Sequence, residues 1–422
     1  MKTKLIAPAI AAAALVAAGL YYWAYQPAIA PAAPAPVADA AVIAQGARIV
    51  ALGDCMVCHT SGNGAAYAGG LPLKTPFGTI YTTNITPDPD TGIGRWSQAA
   101  FQRALRNGAS RDGHLLYPAF PYIHYTRMSD RDIGLAYQYL MSRPAVHYTP
   151  PDNALIFPLG FRPMLAFWNL LYLHPGDGHM PERQATPVER GHYLVDTLGH
   201  CASCHSGLNP IGGESHPEFG GGHVDGWDAP ALIELNQHGT PWTADQLTAY
   251  LRSGLSLQHG AAKGPMRAVT ERLAEVPADD VDAIAAYLMS LQPPAPAKTT
   301  TATQPAAMAD ARPASINAQG AVLFAAACAN CHSAPAAMTR IANRPGLEHS
   351  SALADAGPSN FIQTVLHGIP WQHQPVAAYM PPYAAVLTDE QIASLAAYVR
   401  SDVAGRPAWT DVAKQSAKLR KE

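Results

Sequence analysis

The chain has 422 residues, of which 48% are hydrophobic and 14% are charged, and its formal net charge at pH 7 is −3. A chain of this length and apolar content can form about three domains, each with its own core. It has no basic excess of the kind that binds phosphate backbones, so we exclude a nucleic-acid partner.

The first segment, residues 1–26, is predicted to be a membrane anchor. Residues 5–25 form an uncharged stretch of 21 residues, which is long enough to span a bilayer. Lys2 and Lys4 precede it, and Tyr21, Tyr22 and Trp23 stand near its far end, as in an interfacial aromatic belt. This arrangement predicts localisation to the inner membrane, with the other domains on the periplasmic side. The alternative is a cleaved signal peptide that ends after Ala30 or Ala40.

Three copies of the pattern C-x-x-C-H organise the rest of the chain, at 55–59, 201–205 and 328–332. In this pattern two cysteines form thioethers to a haem and the following histidine binds its iron. The three copies use all six cysteines, so a zinc site built from two pairs would leave the third pair without a partner. We therefore predict three covalently bound haem c groups. The predicted attachment residues are Cys55, Cys58, Cys201, Cys204, Cys328 and Cys331, and the predicted proximal ligands are His59, His205 and His332.

Each motif lies in a repeated arrangement of predicted helices. A short helical pattern precedes it, and an amphipathic helix with an acidic first turn closes each repeat, at 130–142, 278–290 and 389–401. This order resembles a small cytochrome c domain, so we predict an all-α fold with three tandem cytochrome c domains behind an N-terminal transmembrane helix. The predicted domains are 42–144, 186–291 and 315–404. They are joined by an Ala/Pro tether at 27–41, an apolar linker at 145–185 and a Pro/Ala/Thr linker at 292–314, and a C-terminal tail follows at 405–422.

The apolar linker contains a stretch with a single charge, Arg162, between residues 155 and 173. Pro158 and Pro163 within it argue against an ordinary spanning helix. Three interpretations stay open: the stretch lies on a membrane surface, contacts a partner subunit, or packs between the first two haem domains.

The sixth ligand of each iron is expected in the loop before the closing helix of its domain. Met380, followed by two prolines, is the predicted ligand in the third domain, and Met266 is the predicted ligand in the second. In the first domain Phe120 stands where a methionine is expected, and we favour His124 as the ligand. The alternatives there are Met128 or a five-coordinate iron. Histidine on both sides would give this haem the lowest potential of the three.

The three motifs, together with the stretch GGLPLKTPFGTIYTTNITPDPDTGIGRWS at 69–97, resemble the three-haem cytochrome c subunit of membrane-bound periplasmic dehydrogenases of acetic acid bacteria. The resemblance implies a catalytic subunit that oxidises an alcohol, aldehyde or sugar, and a cytochrome that passes its electrons to ubiquinone in the membrane. Phe120, His124 and the N-terminal anchor favour the cytochrome that accompanies molybdopterin and iron-sulfur aldehyde dehydrogenases. The alternative partners are a quinoprotein alcohol dehydrogenase or a flavoprotein sugar dehydrogenase.

No motif for substrate oxidation stands out elsewhere in the chain, so we expect electron transfer without a substrate-oxidising site on this chain. Two further hypotheses stay open. The chain could be a stand-alone electron carrier, or it could be a haem peroxidase with an open iron position.

Overall fold

The computed structural model describes residues 3–33, 38–176, 178, 185–237, 240–293, 317–333, 336, 346–347, 350–370 and 378–421. The chain divides into two compact units, Met1–His200 and Cys201–Glu422. The first unit contains the first haem motif, and the second unit contains the other two.

Helices are the main regular elements of the first unit. They span Thr3–Ala24, Ala40–Leu52, Cys55–Cys58, Gln98–Asn107, Tyr122–Tyr125, Asp130–Met141, Leu165–Tyr172 and Pro187–Tyr193, with a 3₁₀ turn at Arg162–Met164 and a π-helical turn at Leu194–Leu198. Ser97 and Ser129 cap two of these helices through their hydroxyls. The opening helix Ala40–Leu52 packs on the closing helix Asp130–Met141 at Gly46, where an added Cβ would collide with the carbonyl of Leu135. Glycine at this position therefore allows the two backbones to approach closely.

The predicted N-terminal transmembrane helix is not supported. A helix forms over Thr3–Ala24, but nine of its 22 residues are alanine and Pro8 lies inside it. Alanine buries much less apolar surface than leucine or isoleucine, and proline removes a backbone hydrogen bond. Within the described part of the chain, no helix is long and apolar enough to cross a membrane. The predicted anchor, and the inner-membrane localisation that depended on it, are therefore wrong.

The prediction of an all-α fold is also wrong, because three small antiparallel sheets are present. Their strands are Pro72–Thr75, Gly78–Tyr81 and Ala154–Leu155, then Gly222–Val224 with Trp227–Ala229, then Leu255–Ser256 with Gly260–Ala261. In the second sheet Gly222 pairs with Ala229, and the turn residues Asp225 and Gly226 have φ of 49° and 76°. Two positive φ angles in a two-residue loop form the tight turn that Asp-Gly favours.

The segments around the first haem domain are held against it. The backbone N–H of Gln26 donates to Gly113, that of Ile29 donates to Arg111, and that of Ala32 donates to Arg95, at 2.9–3.1 Å. The predicted tether thus follows the domain surface up to residue 32. In the apolar linker, Asn169 accepts a hydrogen bond from the Tyr122 hydroxyl at 2.6 Å. Helix Leu165–Tyr172 also contacts helix Thr3–Ala24.

Helices are the main regular elements of the second unit as well. Its helices span Ala202–His205, Ala244–Ser253, Gly264–Leu273, Ala278–Ser290, Ala318–Ala327, Ala329–His332, Ser351–Ala354, Ser359–His367, Asp389–Tyr398 and Val412–Leu419, with short 3₁₀ and π turns at Leu232–Glu234 and Val399–Val403. The third haem domain has a core of buried apolar side chains, which includes Phe324, Leu353, Ile362, Val365, Leu366, Ile392, Leu395 and Val399. Val412 and Leu419 of the predicted C-terminal tail are buried in the same core.

Candidate haem sites

The first motif forms one turn of helix, Cys55–Cys58, directly after Asp54. Asp54 has a φ of 54°, a left-handed conformation that aspartate tolerates better than most residues and that turns the chain out of the opening helix. The backbone N–H of His59 donates to the Cys55 carbonyl at 2.9 Å, so the helical turn includes the histidine. Cysteines three residues apart then lie on one side of the turn, as attachment to one porphyrin requires.

Backbone groups hold His59 at both ends. With the proton on Nδ1, the His59 ring donates to the Thr83 carbonyl at 2.6 Å. The N–H of Gly69 donates to the His59 carbonyl at 2.8 Å. Burial lowers the pKa of His59, and the bond to Thr83 only partly offsets this effect. The neutral ring with its proton on Nδ1 leaves Nε2 as the atom that can bind iron.

The second motif repeats this geometry in the other unit. The N–H of His205 donates to Cys201 at 2.9 Å, its Nδ1 lies 2.8 Å from the Pro230 carbonyl, and the N–H of Gly221 donates to the His205 carbonyl at 2.8 Å. Burial is again the main effect that lowers the histidine pKa. Gly222 is needed because an added Cβ would collide with the Cys204 and Ser206 carbonyls. Each of the two imidazoles is therefore oriented by a carbonyl just beyond a β-hairpin.

The third motif has the same helical turn, with the His332 N–H donating to the Cys328 carbonyl at 2.9 Å. Burial lowers the pKa of His332, and the nearby Lys263 adds to the effect. Most of residues 334–349, which follow this motif, lie outside the described part of the chain.

The environments of Cys55 and Cys328 suit uncharged sulfur. None of the six cysteines is in a disulfide. Burial, with Asp54 and Cys58 nearby, raises the pKa of Cys55 to about 12, and burial with Cys331 nearby raises the pKa of Cys328 to about 11. A thioether sulfur carries no charge, so these surroundings fit covalently attached haem better than they fit a thiolate–metal site.

The predicted methionine ligands lie on half-buried segments of their domains. Met380 exchanges backbone hydrogen bonds with Ile369, at 2.8 and 2.9 Å, next to the core of the third domain. Gly368 keeps this segment close, because a Cβ there would collide with the Met380 carbonyl. Met266 lies in the first turn of helix Gly264–Leu273. Ligation by either sulfur stays a prediction.

His124 is buried inside the first unit, with 2% of its surface exposed. Its Nδ1 lies 3.0 Å from the Asp196 carbonyl, which also accepts a hydrogen bond from Arg127 at 2.8 Å. The neighbouring Tyr125 donates to the Gly53 carbonyl at 2.7 Å, beside the first motif. The carbonyl near Nδ1 matches the partners of His59 and His205, but the Arg127 guanidinium also lies 3.2 Å from this nitrogen of His124. Met128, the alternative donor, is also buried.

Sequence reasoning missed the residues that orient the proximal histidines. Thr83 and Pro230 act through their carbonyls, which carry no side-chain signal. The Asp225–Gly226 turn could have revealed one of the two hairpins, because this dipeptide is typical of tight hairpin turns. Asn84, next to Thr83 in the chain, is buried and donates to the carbonyls of Val146 and Tyr148.

Haem-attachment motifs on small helical domains define a c-type cytochrome, with covalently bound haem and its iron. Two family models match the chain: cytochrome c over residues 188–292, and subunit III of cbb3-type cytochrome c oxidase over residues 316–399. These matches cover the second and third predicted domains.

Three relatives extend the likeness over nearly the whole chain. A nicotinate dehydrogenase subunit of Pseudomonas putida is 44% identical over 93% of this chain, which spans only 33% of that relative's length. The cytochrome c subunit of the quinone alcohol dehydrogenase of Gluconacetobacter polyoxogenes is 34% identical, over 92% of this chain and 86% of the relative. The gluconate 2-dehydrogenase cytochrome c subunit of Pantoea cypripedii is 35% identical, over 91% of both. The chain belongs to the family of cytochrome c subunits of dehydrogenases, which confirms electron transfer as its function.

Proposed function

We propose that this chain is a three-haem subunit that accepts electrons from a dehydrogenase catalytic subunit and delivers them to ubiquinone. Each bound haem c would supply an iron centre that takes up and releases one electron. The proposed iron ligands are His59 with His124, His205 with Met266, and His332 with Met380. The six cysteines of the motifs would hold the three porphyrins.

One observation supports the proposal that the haem sites transfer electrons with little change in the position of their proximal histidines. His59 and His205 lie in separate units, yet each presents Nδ1 to a backbone carbonyl at 2.6–2.8 Å. Such a bond fixes the ring orientation and the tautomer before the iron changes its charge. A site that keeps its geometry in both oxidation states favours rapid electron transfer.

For the partner, we propose a molybdopterin catalytic subunit with an iron-sulfur subunit. Phe120 and His124 in place of a methionine loop support this choice. Identity of 44% to the nicotinate dehydrogenase subunit, against 34% to the quinone alcohol dehydrogenase cytochrome, also favours a partner other than a quinoprotein. The quinoprotein alternative is retained because the chain spans 86% of that cytochrome.

Exposed apolar side chains on the linker support a protein partner. Phe157 is 97% exposed, Leu170 is 64% exposed and Phe167 is 55% exposed. Hydrogen bonds hold neighbouring residues of the linker against the first domain. The Leu159 carbonyl accepts a bond from the Tyr117 hydroxyl at 3.1 Å, and the Arg162 side chain donates to the Leu115 carbonyl at 2.8 Å. Exposed apolar side chains on a segment that hydrogen bonds hold to the domain are typical of a protein interface.

The test is gentle purification of the native chain, followed by identification of co-purifying chains and by addition of candidate substrates. We expect a dehydrogenase subunit, three haems per chain, and reduction of all three haems by that subunit's substrate. The double variant Phe157→Ser, Phe167→Ser should lower the yield of the co-purifying partner without changing the haem spectrum. Val386→Ser, at another exposed apolar position, is the matched control.

Two outcomes would contradict the proposal. Purification that always yields the chain alone, without haem reduction by any dehydrogenase substrate, would favour a stand-alone carrier. A high-spin ferric signal from the first haem together with peroxide turnover would favour a peroxidase.

A further inference from the structure

The second and third haem domains meet inside the second unit through an asparagine side chain. Asn360, on helix Ser359–His367, accepts a hydrogen bond from the Asp228 N–H at 2.9 Å and donates to the Asp228 carbonyl at 2.8 Å. Its second amide proton is donated to the Asp355 carboxylate, also at 2.8 Å. All these bonds together fix the orientation of the amide, because a flipped amide would place an N–H group against the Asp228 N–H.

Further polar contacts surround this asparagine. Gln363, one turn along the same helix, donates to the Asp225 carbonyl at 3.4 Å, and Arg267 donates to the Pro370 carbonyl at 3.2 Å. Burial lowers the pKa of Lys263 to about 8, against the opposing effect of Asp355 in the third domain. The contact therefore includes both the hairpin of the second domain and the start of the helix that carries Met266.

Asp228 leads directly to the second haem site. It lies in strand Trp227–Ala229, and the next residue after that strand is Pro230, whose carbonyl is 2.8 Å from Nδ1 of His205. The Asp228 side chain is held as well, at 2.7 Å from Nδ1 of His223. Asn360 thus holds the chain two residues before the acceptor that orients the proximal histidine.

We propose that Asn360 of the third domain is a positioning residue for the second haem, which it serves by fixing the strand that presents the Pro230 carbonyl to His205. This inference rests on the proposed function only in that a haem is bound at His205. A proton shared with a carbonyl makes the imidazole a stronger electron donor and so favours the ferric iron. Docking of the third domain therefore lowers the potential of the second haem.

The experiment is a redox titration of the purified cytochrome with chemical mediators. Asn360→Leu removes both bonds to Asp228, and we expect the potential of the second haem to shift upward while those of the first and third haems stay in place. We expect Met266→His to shift the potential of the second haem strongly downward, and this shift assigns the second haem in the titration. With ¹⁵N-labelled histidine, the Nδ1 proton of His205 should exchange faster with solvent in Asn360→Leu.

Asn317→Leu is the matched control, because Asn317 donates to Ser401 at 3.0 Å within the third domain. It should leave all three potentials unchanged. If Asn360→Leu does not fold, Asn360→Ser, which leaves room for a bridging water, should give a smaller shift in the same direction. Unchanged potentials in the folded variant, or a shift confined to the third haem, would overturn the proposal. The titration needs no dehydrogenase, so an error about the partner would not affect its result, and a haem count below three would show a failed haem assignment separately.

Discussion

At the scale of single residues, the first haem site differs most from the common cytochrome pattern. Phe120 offers no lone pair, and its ring packs 5.6 Å from that of Tyr125. His124, four residues further on, is buried, and its Nδ1 lies 3.0 Å from the Asp196 carbonyl and 3.2 Å from the Arg127 guanidinium. Its ligation to the first iron stays a prediction.

We expect His124→Ala to convert the first haem from low spin to high spin, because the variant lacks the proposed imidazole ligand. Met128→Leu should leave the spin state unchanged. Electron paramagnetic resonance of the ferric protein measures both. In the unmodified protein, the near-infrared charge-transfer band of methionine-bound haem should correspond to two haems per chain. A band that corresponds to three haems, and that falls to two haems in Met128→Leu, would assign the ligand of the first haem to Met128.

Asn84 is a buried side chain with several hydrogen-bond partners. Its amide donates to Thr91, Val146 and Tyr148, and its oxygen accepts hydrogen bonds from Thr86. Removal of a buried group with several partners leaves those partners without hydrogen bonds.

We expect Asn84→Ala to lower the free energy of unfolding of the first unit by about 1–3 kcal/mol. Asn107→Ala, at an exposed helix end, should change it by much less. Urea unfolding followed by circular dichroism gives both values. Equal losses in the two variants would show that the Asn84 bonds contribute nothing special to stability.

At the scale of elements, the C-terminal helix Val412–Leu419 is part of the third domain. Asp389, in the first turn of the closing helix, accepts hydrogen bonds from Ser416 at 2.7 Å and from Arg420 at 3.0 Å. The Ser416 hydroxyl, and next the Arg420 guanidinium, lower the pKa of Asp389 against a raising effect of burial. A carboxylate on one helix thus holds the end of another.

This depressed pKa sets the direction of a pH effect. A folded-state pKa below the unfolded value means that the stabilisation is complete above the unfolded pKa and is lost as the pH falls through the folded one. We expect hydrogen exchange in helix Val412–Leu419 to accelerate on acidification below about pH 4. Asp389→Asn should flatten this dependence, whereas Glu390→Gln, in the same helical turn, should keep it. The same acid response in all three proteins would refute the role of Asp389.

The two β-hairpins show how short elements serve a helical protein. Strands Pro72–Thr75 and Gly78–Tyr81 lead to Thr83, and strands Gly222–Val224 and Trp227–Ala229 lead to Pro230. Each hairpin brings a carbonyl to a proximal imidazole from a distant position along the chain, at separations of 24 and 25 residues. Helices alone would not supply this carbonyl, because theirs are mostly used within the helix.

At the scale of the whole molecule, the chain divides into two compact units, and the second unit contains two of the three haem motifs. The division falls between His200 and Cys201, so helix Pro187–Tyr193 belongs to the first unit although it precedes the second motif. Its Tyr193 donates to Asp132 at 2.7 Å, and the following turn supplies the Asp196 carbonyl to His124. The environment of His124 therefore comes partly from a segment that the repeat pattern had assigned to the next domain.

The sequence by itself determined the chemistry: three C-x-x-C-H motifs, the histidines within them and the helices that close each repeat follow from local spacing and periodicity, which need no knowledge of distant contacts. The tertiary structure decided what surrounds those groups. Backbone carbonyls at Thr83, Asp196 and Pro230 have no signature in the sequence, and the contact of Asn360 with Asp228 joins residues 132 positions apart. The failed anchor has a different origin, since its alanines and Pro8 stand in the sequence itself, and the lack of charge alone does not make a segment apolar enough to cross a membrane. The haem-attachment chemistry depends on neighbouring residues in the sequence. The orientation and burial of the histidines depend on which distant segments pack against them.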